Sequence, residues 1–430
     1  MGLTRETGTR RAVKKAPTDG RGNTSAFPGR SMKTAKKWLL ALFCVLILFG
    51  ALPSSAEGTT LRVGDKGQEV LELKQRLQEL RYIKGTSLTK TFSESTAESI
   101  REFQRQNGLP ETGEADEATR ELLFSDKAVK KPYPTMPPLA EPEIKPLPDW
   151  PERDAEGFLA EKGEYVYEND EAGLWVYLSA TLQITIARQQ DDSIPLVWFE
   201  TDIRTRGDET FRTVQTDPER PGKRFKYPDV IAKEANLVLG FSDDFFATRM
   251  ASGETVGIII RDGVVISGNT NRKTGHHLPN LDMMAQYPDG RLEVYHCDEM
   301  TAEELLAGGA INVFSFGPIL IRDGEINELV YQYYRNIEPR HALGMIEPRH
   351  YLLLSVQGRN KESKGAPLQR IAEMMQARGV TQALNLDGGN TMALVFRGRM
   401  LNKLAVYQNR AFVRTVTSLI GIGISEAEAP

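Results

Sequence analysis

The chain has 430 residues, 40% of them hydrophobic, enough to bury more than one core. Its net charge is −4, and the positive charge is concentrated at the start: residues 1–37 carry ten Lys and Arg against only Glu6 and Asp19, so the remainder is distinctly acidic. An acidic body excludes nucleic acid as the expected partner, and two cysteines in the whole chain exclude a disulfide-built scaffold.

The basic start runs into residues 38–52, an uncharged apolar stretch, followed by Ser54-Ser55-Ala56. This pattern predicts a secretory signal peptide spanning the leader to residue 56, with membrane contact only in transit. The run is shorter than the ~20 residues of a spanning helix. Met32 opens a complete leader of its own (MKTAKK) and is the expected true start. Cys44 lies inside the apolar run, so Cys297 alone would remain after cleavage. An exported chain without internal disulfides suits a bacterial envelope, in the wall or outside the cell.

Residues 60–126 read as a small helical domain. Val70, Leu73, Leu77 and Leu80 fall on one helix face. Ser95-Thr96-Ala97-Glu98 reads as a capping box opening a second helix, with Ile100 and Phe103 inward and Gly108 as its end. Asp116 can cap a third helix, with Ala118, Leu122 and Leu123 inward. The opening G-D-x-G-x-x-V at 64–70, the Leu73/Leu77 helix, Phe103-Gln104, Gly108-Leu109 and Thr112-Gly113 resemble the peptidoglycan-binding domain type 1. That resemblance implies peptidoglycan as a partner. Residues 127–160 then form a linker, with eight prolines between Lys127 and Pro151, expected to be extended and semi-rigid.

From 165 to 425 strands dominate. Residues 174–188 and 194–204 alternate apolar and polar side chains; 256–268 and 281–297 are hairpins turning at Asp262-Gly263 and Asp289-Gly290; Asp323-Gly324 and Gly398 mark further turns. Three helices are expected, near 227–234, 301–307 and 367–378, the last stopped by Gly379. The pentapeptide IEPRH occurs at 337–341 and 346–350, and the second copy places Arg349 in a solvated turn. Strands with helices set aside predict an α+β fold, a three-helix bundle joined to a larger strand-rich domain.

The candidate chemistry centres on Asp387-Gly388-Gly389-Asn390-Thr391, at the end of the run 383–386. Glycines there permit either a plain turn or close backbone approach to a ligand. Arg340 precedes a strand that should run beside this one, and a guanidinium can hold phosphate in two places at once. It could equally be an ion-pair partner on a strand. Gly388 and Gly389 could offer amides to an anion. His341 should face away from Arg340. Asp243 and Asp244 with Asp387 could ligate a divalent cation or form a solvated turn. His276-His277 reads as a solvated loop and Cys297 as an inert thiol.

Phe316-Gly317-Pro318, Pro339-Arg340-His341-Ala342-Leu343-Gly344, Gly358-Arg359 and the Asp387-Gly388-Gly389 segment, in this order, resemble the phosphodiester glycosidase family over 165–424. By that resemblance Arg340 and Asp387 take catalytic places, and Gly388, Gly389, Asn390, Thr391, Gly317 and Asp244 line the substrate. The sequence departs from the family at Ser242, Asp243 and Asp244, where Asn-Gly-Gly is usual, at His341, where Thr is usual, and at Asn390 and Thr391, where Gly-Ser is usual. The resemblance implies a hydrolase that removes an N-acetylglucosamine-like sugar from a phosphodiester-linked glycan. The alternative is a glycan-binding protein with a degenerate pocket.

Overall fold

The computed structural model describes residues 60–83, 88–143, 145, 149–220, 222–243, 256–269, 281–333 and 335–425. The expected signal peptide, Asp244, Phe246, His276 and His277 lie outside the described residues. Two compact units divide after Pro132.

The first unit is built from α1 (Gln68–Glu79), α2 (Glu94–Gln106) and α3 (Glu117–Leu123). Val70, Leu73, Leu77, Ile100, Phe103 and Leu123 close one core. The cap of α2 sits two residues earlier than the sequence suggests: Ser93 is the N-cap, its amide donates to Thr96 Oγ1 at 3.3 Å, and Ser95 lies in the first turn. Asp116 caps α3 as expected, Oδ1 accepting from the Thr119 amide at 2.8 Å. Ala118 faces solvent, and Thr119 takes the inward place assigned to it. The reason is Gln104. Its Nε2 donates to Thr112 Oγ1, Glu114 O and Thr119 Oγ1, and its Oε1 accepts from the Gly113 amide. A buried amide so fully satisfied fixes the turn before α3. Residues 129–131 close this unit: Tyr82 Oη donates to Val129 O, Asn107 Oδ1 accepts from the Val129 amide, and the Lys131 amide reaches Leu80 O.

The second unit holds a nine-stranded sheet ordered Glu164–Asn169, Leu174–Ser179, Leu182–Asp191, Leu196–Thr205, His350–Val356, Arg340–Glu347, Gln382–Leu386, Ile319–Arg322 and Glu325–Ile326. Two five-stranded sheets accompany it, one around Asp282–Gln286 and Asn312–Phe316, the other around Leu237–Phe241 and Ser418–Ile424. Strand alternation sorts the core. Leu343, Leu353 and Leu384 face inward against Phe241, Ile420, Met284 and Phe314 of the smaller sheets. Ala342, Leu354 and Ala383 face outward under Ile371 and Met375. The fold is α+β as expected.

Among the described residues, the α-helices of this unit are α4 (Pro228–Glu234), α5 (Ala302–Ala307), α6 (Glu328–Tyr333) and α7 (Leu368–Gln376). α6 is additional to the three helices expected; Asn327 starts it, its Oδ1 accepting from the Leu329 amide. Arg349 is also less free than its turn suggests, since its Nη2 donates to Pro288 O and its amide to Gly290 O.

The proline-rich segment is no open tether over 133–143. Extended backbone without internal hydrogen bonds leaves its polar groups available, and side chains of the second unit take them. Gln369 Nε2 donates to Pro134 O and Arg370 Nη2 to Pro137 O; the Met136 amide reaches Glu373, and the Ala140 amide reaches buried Asp191. Gln189 and Glu143 exchange two bonds, and Tyr133 stacks on Tyr331 at 4.0 Å.

Candidate functional site

Several strand ends converge on one rim. Antiparallel pairing sets His341 against Leu386, so the next pair out is Arg340 and Asp387. The Asp387 amide donates to Asp243 O at 3.3 Å, joining the end of Gln382–Leu386 to that of Leu237–Phe241. Gly388 lies so close to the neighbouring chain that a Cβ on it would sit 2.4 Å from Pro339 O and 3.4 Å from Arg340 Cα. Only glycine fits there. Asp387-Gly388-Gly389 is therefore a close approach of two chain segments as well as a turn.

The proposed amide nest does not hold at Gly389. Its N–H donates to Pro339 O at 3.0 Å, so that donor is spent within the protein. Arg340, half-buried, directs Nε to Ala366 O at 3.2 Å and Nη2 to Asn336 O at 2.8 Å. It ties together the two segments beside Glu338.

Asn390 and Thr391 are both 2% exposed, and they frame the rim from behind. Asn390 Nδ2 donates to Ala405 O at 2.7 Å and Phe412 O at 3.1 Å, gripping both feet of the Val406–Tyr407/Arg410–Ala411 hairpin. Its Oδ1 accepts from Arg359 Nη1 at 2.8 Å. Thr391 accepts from Ser242 Oγ through its carbonyl and, weakly, from Arg414 Nη1 through Oγ1. Both serve the scaffold of the rim in this structure, their polar atoms being committed internally. Ser242 is scaffold for the same reason: its Oγ also accepts from the Ala393 amide at 2.7 Å.

Gly317, at φ +87°, is locked beside the same rim. Its amide donates to Asn385 O and its carbonyl accepts from Asn385 Nδ2, while a Cβ on it would meet Asp282 Cβ at 3.0 Å. Asp282, 2% exposed, accepts from the Ile319 amide and faces His296 Nδ1 at 3.2 Å.

Asp243 is held by Arg261 Nη2 at 3.3 Å in an almost fully buried pair, and Arg261 Nη1 donates to Val313 O at 2.6 Å. Removing one member of such a pair strands a buried charge. Among the described residues no group of three His, Cys, Asp or Glu is placed to hold a metal ion. His341 does face away from Arg340, fully buried at 5.6 Å from the Phe241 ring, with neither ring nitrogen partnered among the described residues. Burial pushes its pKa down to about 3, so it is neutral. Cys297 is a buried thiol.

The sequence candidates omit Arg359. It follows the strand His350–Val356, in the left-handed region at φ +54°. Its Nε donates to Glu338 at 2.5 Å and its Nη1 to Asn390, and both terminal nitrogens lie about 4 Å from where a Gly389 Cβ would stand, at 3.8 and 4.0 Å. Its signal in the sequence is Gly358-Arg359 straight after a buried strand.

Residues 235–423 match the family model described as phosphodiester glycosidase, and residues 66–123 match that of a putative peptidoglycan binding domain. A curated relative, the SPbeta prophage-derived uncharacterized protein YomE of Bacillus subtilis (strain 168), is 27% identical over 171 residues, 39% of this chain and 26% of the relative. The match thus spans about a quarter of that relative's length. Among solved structures, the zebrafish N-acetylglucosamine-1-phosphodiester alpha-N-acetylglucosaminidase catalytic domain, auto-inhibited by its pro-peptide, is similar at 17% identity and a TM-score of 0.44, covering 62% of this chain and 89% of that one. A hypothetical protein from Synechocystis is similar at 13% and 0.40, covering 57% and 62%, and a putative exported protein from Burkholderia pseudomallei K96243 at 13% and 0.38, covering 53% and 74%. In N-to-C order, the chain carries a putative peptidoglycan binding domain and a phosphodiester glycosidase domain.

Proposed function

We propose that this protein is an exported, wall-associated hydrolase that releases an N-acetylglucosamine-like sugar from a sugar-1-phosphate diester in an envelope glycopolymer. The family match supports a glycosidase kind of hydrolysis, and the peptidoglycan-binding match supports cell-wall association. The observation that carries the finer reading is the rim itself: Asp387 one position beyond the His341–Leu386 pair and so next to Arg340 along the strand ends, on a glycine turn closed against Pro339, with a second arginine beside Gly389.

The bond broken is the anomeric C–O bond. Water supplies the incoming oxygen, and the phosphate monoester leaves as an anion that needs little protonation. Asp387 positions or activates that water, or stabilises positive charge developing at the anomeric carbon. Arg340 builds the cationic side of the site by fixing the segments at 336 and 366. Gly317 and Gly388 let the surrounding backbones approach. By resemblance Asp244 is a further substrate contact, and the signal peptide read in residues 32–56 accounts for export.

Purified protein offered a chromogenic N-acetylglucosamine-1-phosphate diester should release the free sugar. The many internally committed groups around Asn390 favour one second reading, a glycan-binding protein without turnover. Saturable binding with no product would establish that reading instead.

A further inference from the structure

We propose that Arg359 is the residue that grips the anionic group of the ligand, and that Glu338, Asn390 and Arg340 exist to aim it. This rests on the phosphodiester reading of the site for the identity of the ligand, but the anion-binding role stands on the geometry.

The guanidinium of Arg359 is held at two of its three nitrogens. Glu338 takes Nε at 2.5 Å, and Asn390 Oδ1 takes Nη1 at 2.8 Å. Nη2 has no hydrogen-bond partner within the described residues, and it lies on the side of Gly389, 4.0 Å from the point where a Cβ would project. Gly389 has no side chain to fill that space. Arg359 is about one-third exposed, so solvent and a ligand can reach it. A planar fork fixed at two donors and open at the rest is preorganised for two-point contact with a phosphoryl oxygen pair.

The aiming groups form a chain. Arg340 binds Asn336 O and Ala366 O; the Ala366 amide donates to Glu338 O, and the Glu338 amide donates back to Ala366 O. Arg340 therefore acts through Glu338, as a positioning residue for Arg359. On the other side, Asn390 spends its acceptor on Arg359 and its two donors on the feet of the 405–412 hairpin. The Val406 amide in turn donates to Arg359 O at 3.0 Å. The asparagine that departs from the family's glycine is thus the second hand on the guanidinium.

The test is direct binding to the full chain, with inorganic phosphate and N-acetylglucosamine 1-phosphate titrated separately by calorimetry. Wild type should bind both. Arg359→Gln should weaken both by about 10- to 100-fold, the range expected for one charge-assisted contact, and Arg359→Lys should fall between. Asn390→Gly should weaken binding less, and adding it to Arg359→Gln should change phosphate affinity no further, which a merely structural asparagine would not show. On the chromogenic diester, Arg359→Lys should raise KM more than it lowers kcat. Unchanged phosphate affinity in folded Arg359→Lys and Arg359→Gln, or no phosphate binding by wild type, overturns the inference. Phosphate binding that depends on Arg359, without turnover of the diester, would leave the inference standing and remove the hydrolase reading.

Discussion

Two buried polar centres, one in each unit, are built on opposite principles. In the helical bundle, Gln104 makes four hydrogen bonds and leaves nothing over, with no charge involved. At the rim of the strand-rich unit, around the chain ends that meet Asp387, are a buried Arg261–Asp243 pair, a neutral His341 without a hydrogen-bond partner among the described residues, and a glycine pressed against a carbonyl. Full satisfaction serves a fold. Local conflict with what folding prefers concentrates where a protein does chemistry. The contrast is a physical argument for the proposed site lying in the second unit, and the substitutions below are chosen to break it.

The largest effect should come from Asp387→Asn. The change keeps shape and hydrogen bonding and removes the charge, so turnover of the chromogenic diester should fall by about 10³-fold or more, within the range of positioned acid-base groups. Phosphate binding and the melting temperature should change little. Near-normal activity would make Asp387 structural and the rim a framework only.

Next is a pair of glycine substitutions. Gly388→Ala would place a methyl 2.4 Å from Pro339 O and should cost about 3 kcal/mol, with activity lost alongside. Gly108→Ala in the bundle, at φ +71° with open space around it, should cost only about 1 kcal/mol of backbone strain. Equal losses in thermal melts would show that the close approach at Gly388 is not tight.

A third test uses pH. His341 has a folded pKa of about 3 against an ordinary 6.5, so below pH 6.5 the unfolded chain takes up a proton that the folded chain refuses. Stability from this residue is fully present above about pH 6.5 and is lost as pH falls towards 3, by about 1.4 kcal/mol per unit. From pH 6.5 to 5 the loss is about 2 kcal/mol. His341→Thr should flatten this part of the profile. Identical pH profiles for the two proteins, in melts from pH 7 to 5, would mean that His341 gains a partner in solution.

What could be read from the sequence follows the same division. Helix faces in the bundle, the hairpin turns at Asp262-Gly263 and Asp289-Gly290, and the place of Asp387 beside Arg340 are local or pairwise matters, carried by periodicity and turn chemistry. Arg359 is different. Its aim depends on Glu338 and Asn390, which are 21 and 31 residues away in sequence and on separate segments. The direction of Asn390 is likewise set from afar, by a hairpin whose foot, Ala405, lies fifteen residues later. The strap at 133–143 could not be told from a free tether, since a proline-rich composition is the same docked or loose.

That strap decides where the molecule should be cut, and it gives the smallest expected effect on catalysis. The bundle at 60–132 closes its own core and is expected to fold alone and bind purified cell wall. A chain beginning at Tyr133 keeps Asp191, Gln189, Gln369, Arg370 and Glu373 paired with the strap. It should turn over a small soluble diester at close to the full-length rate while losing retention on the wall. A chain beginning at Lys145 leaves buried Asp191 without its Ala140 amide and uncovers the surface under Leu139, so it should melt lower. Equal melting temperatures for the two truncations would show that the strap adds no stability. A drop in turnover on removing residues up to 132, with the rest still folded, would show instead that the rate on a small substrate depends on the wall-binding unit.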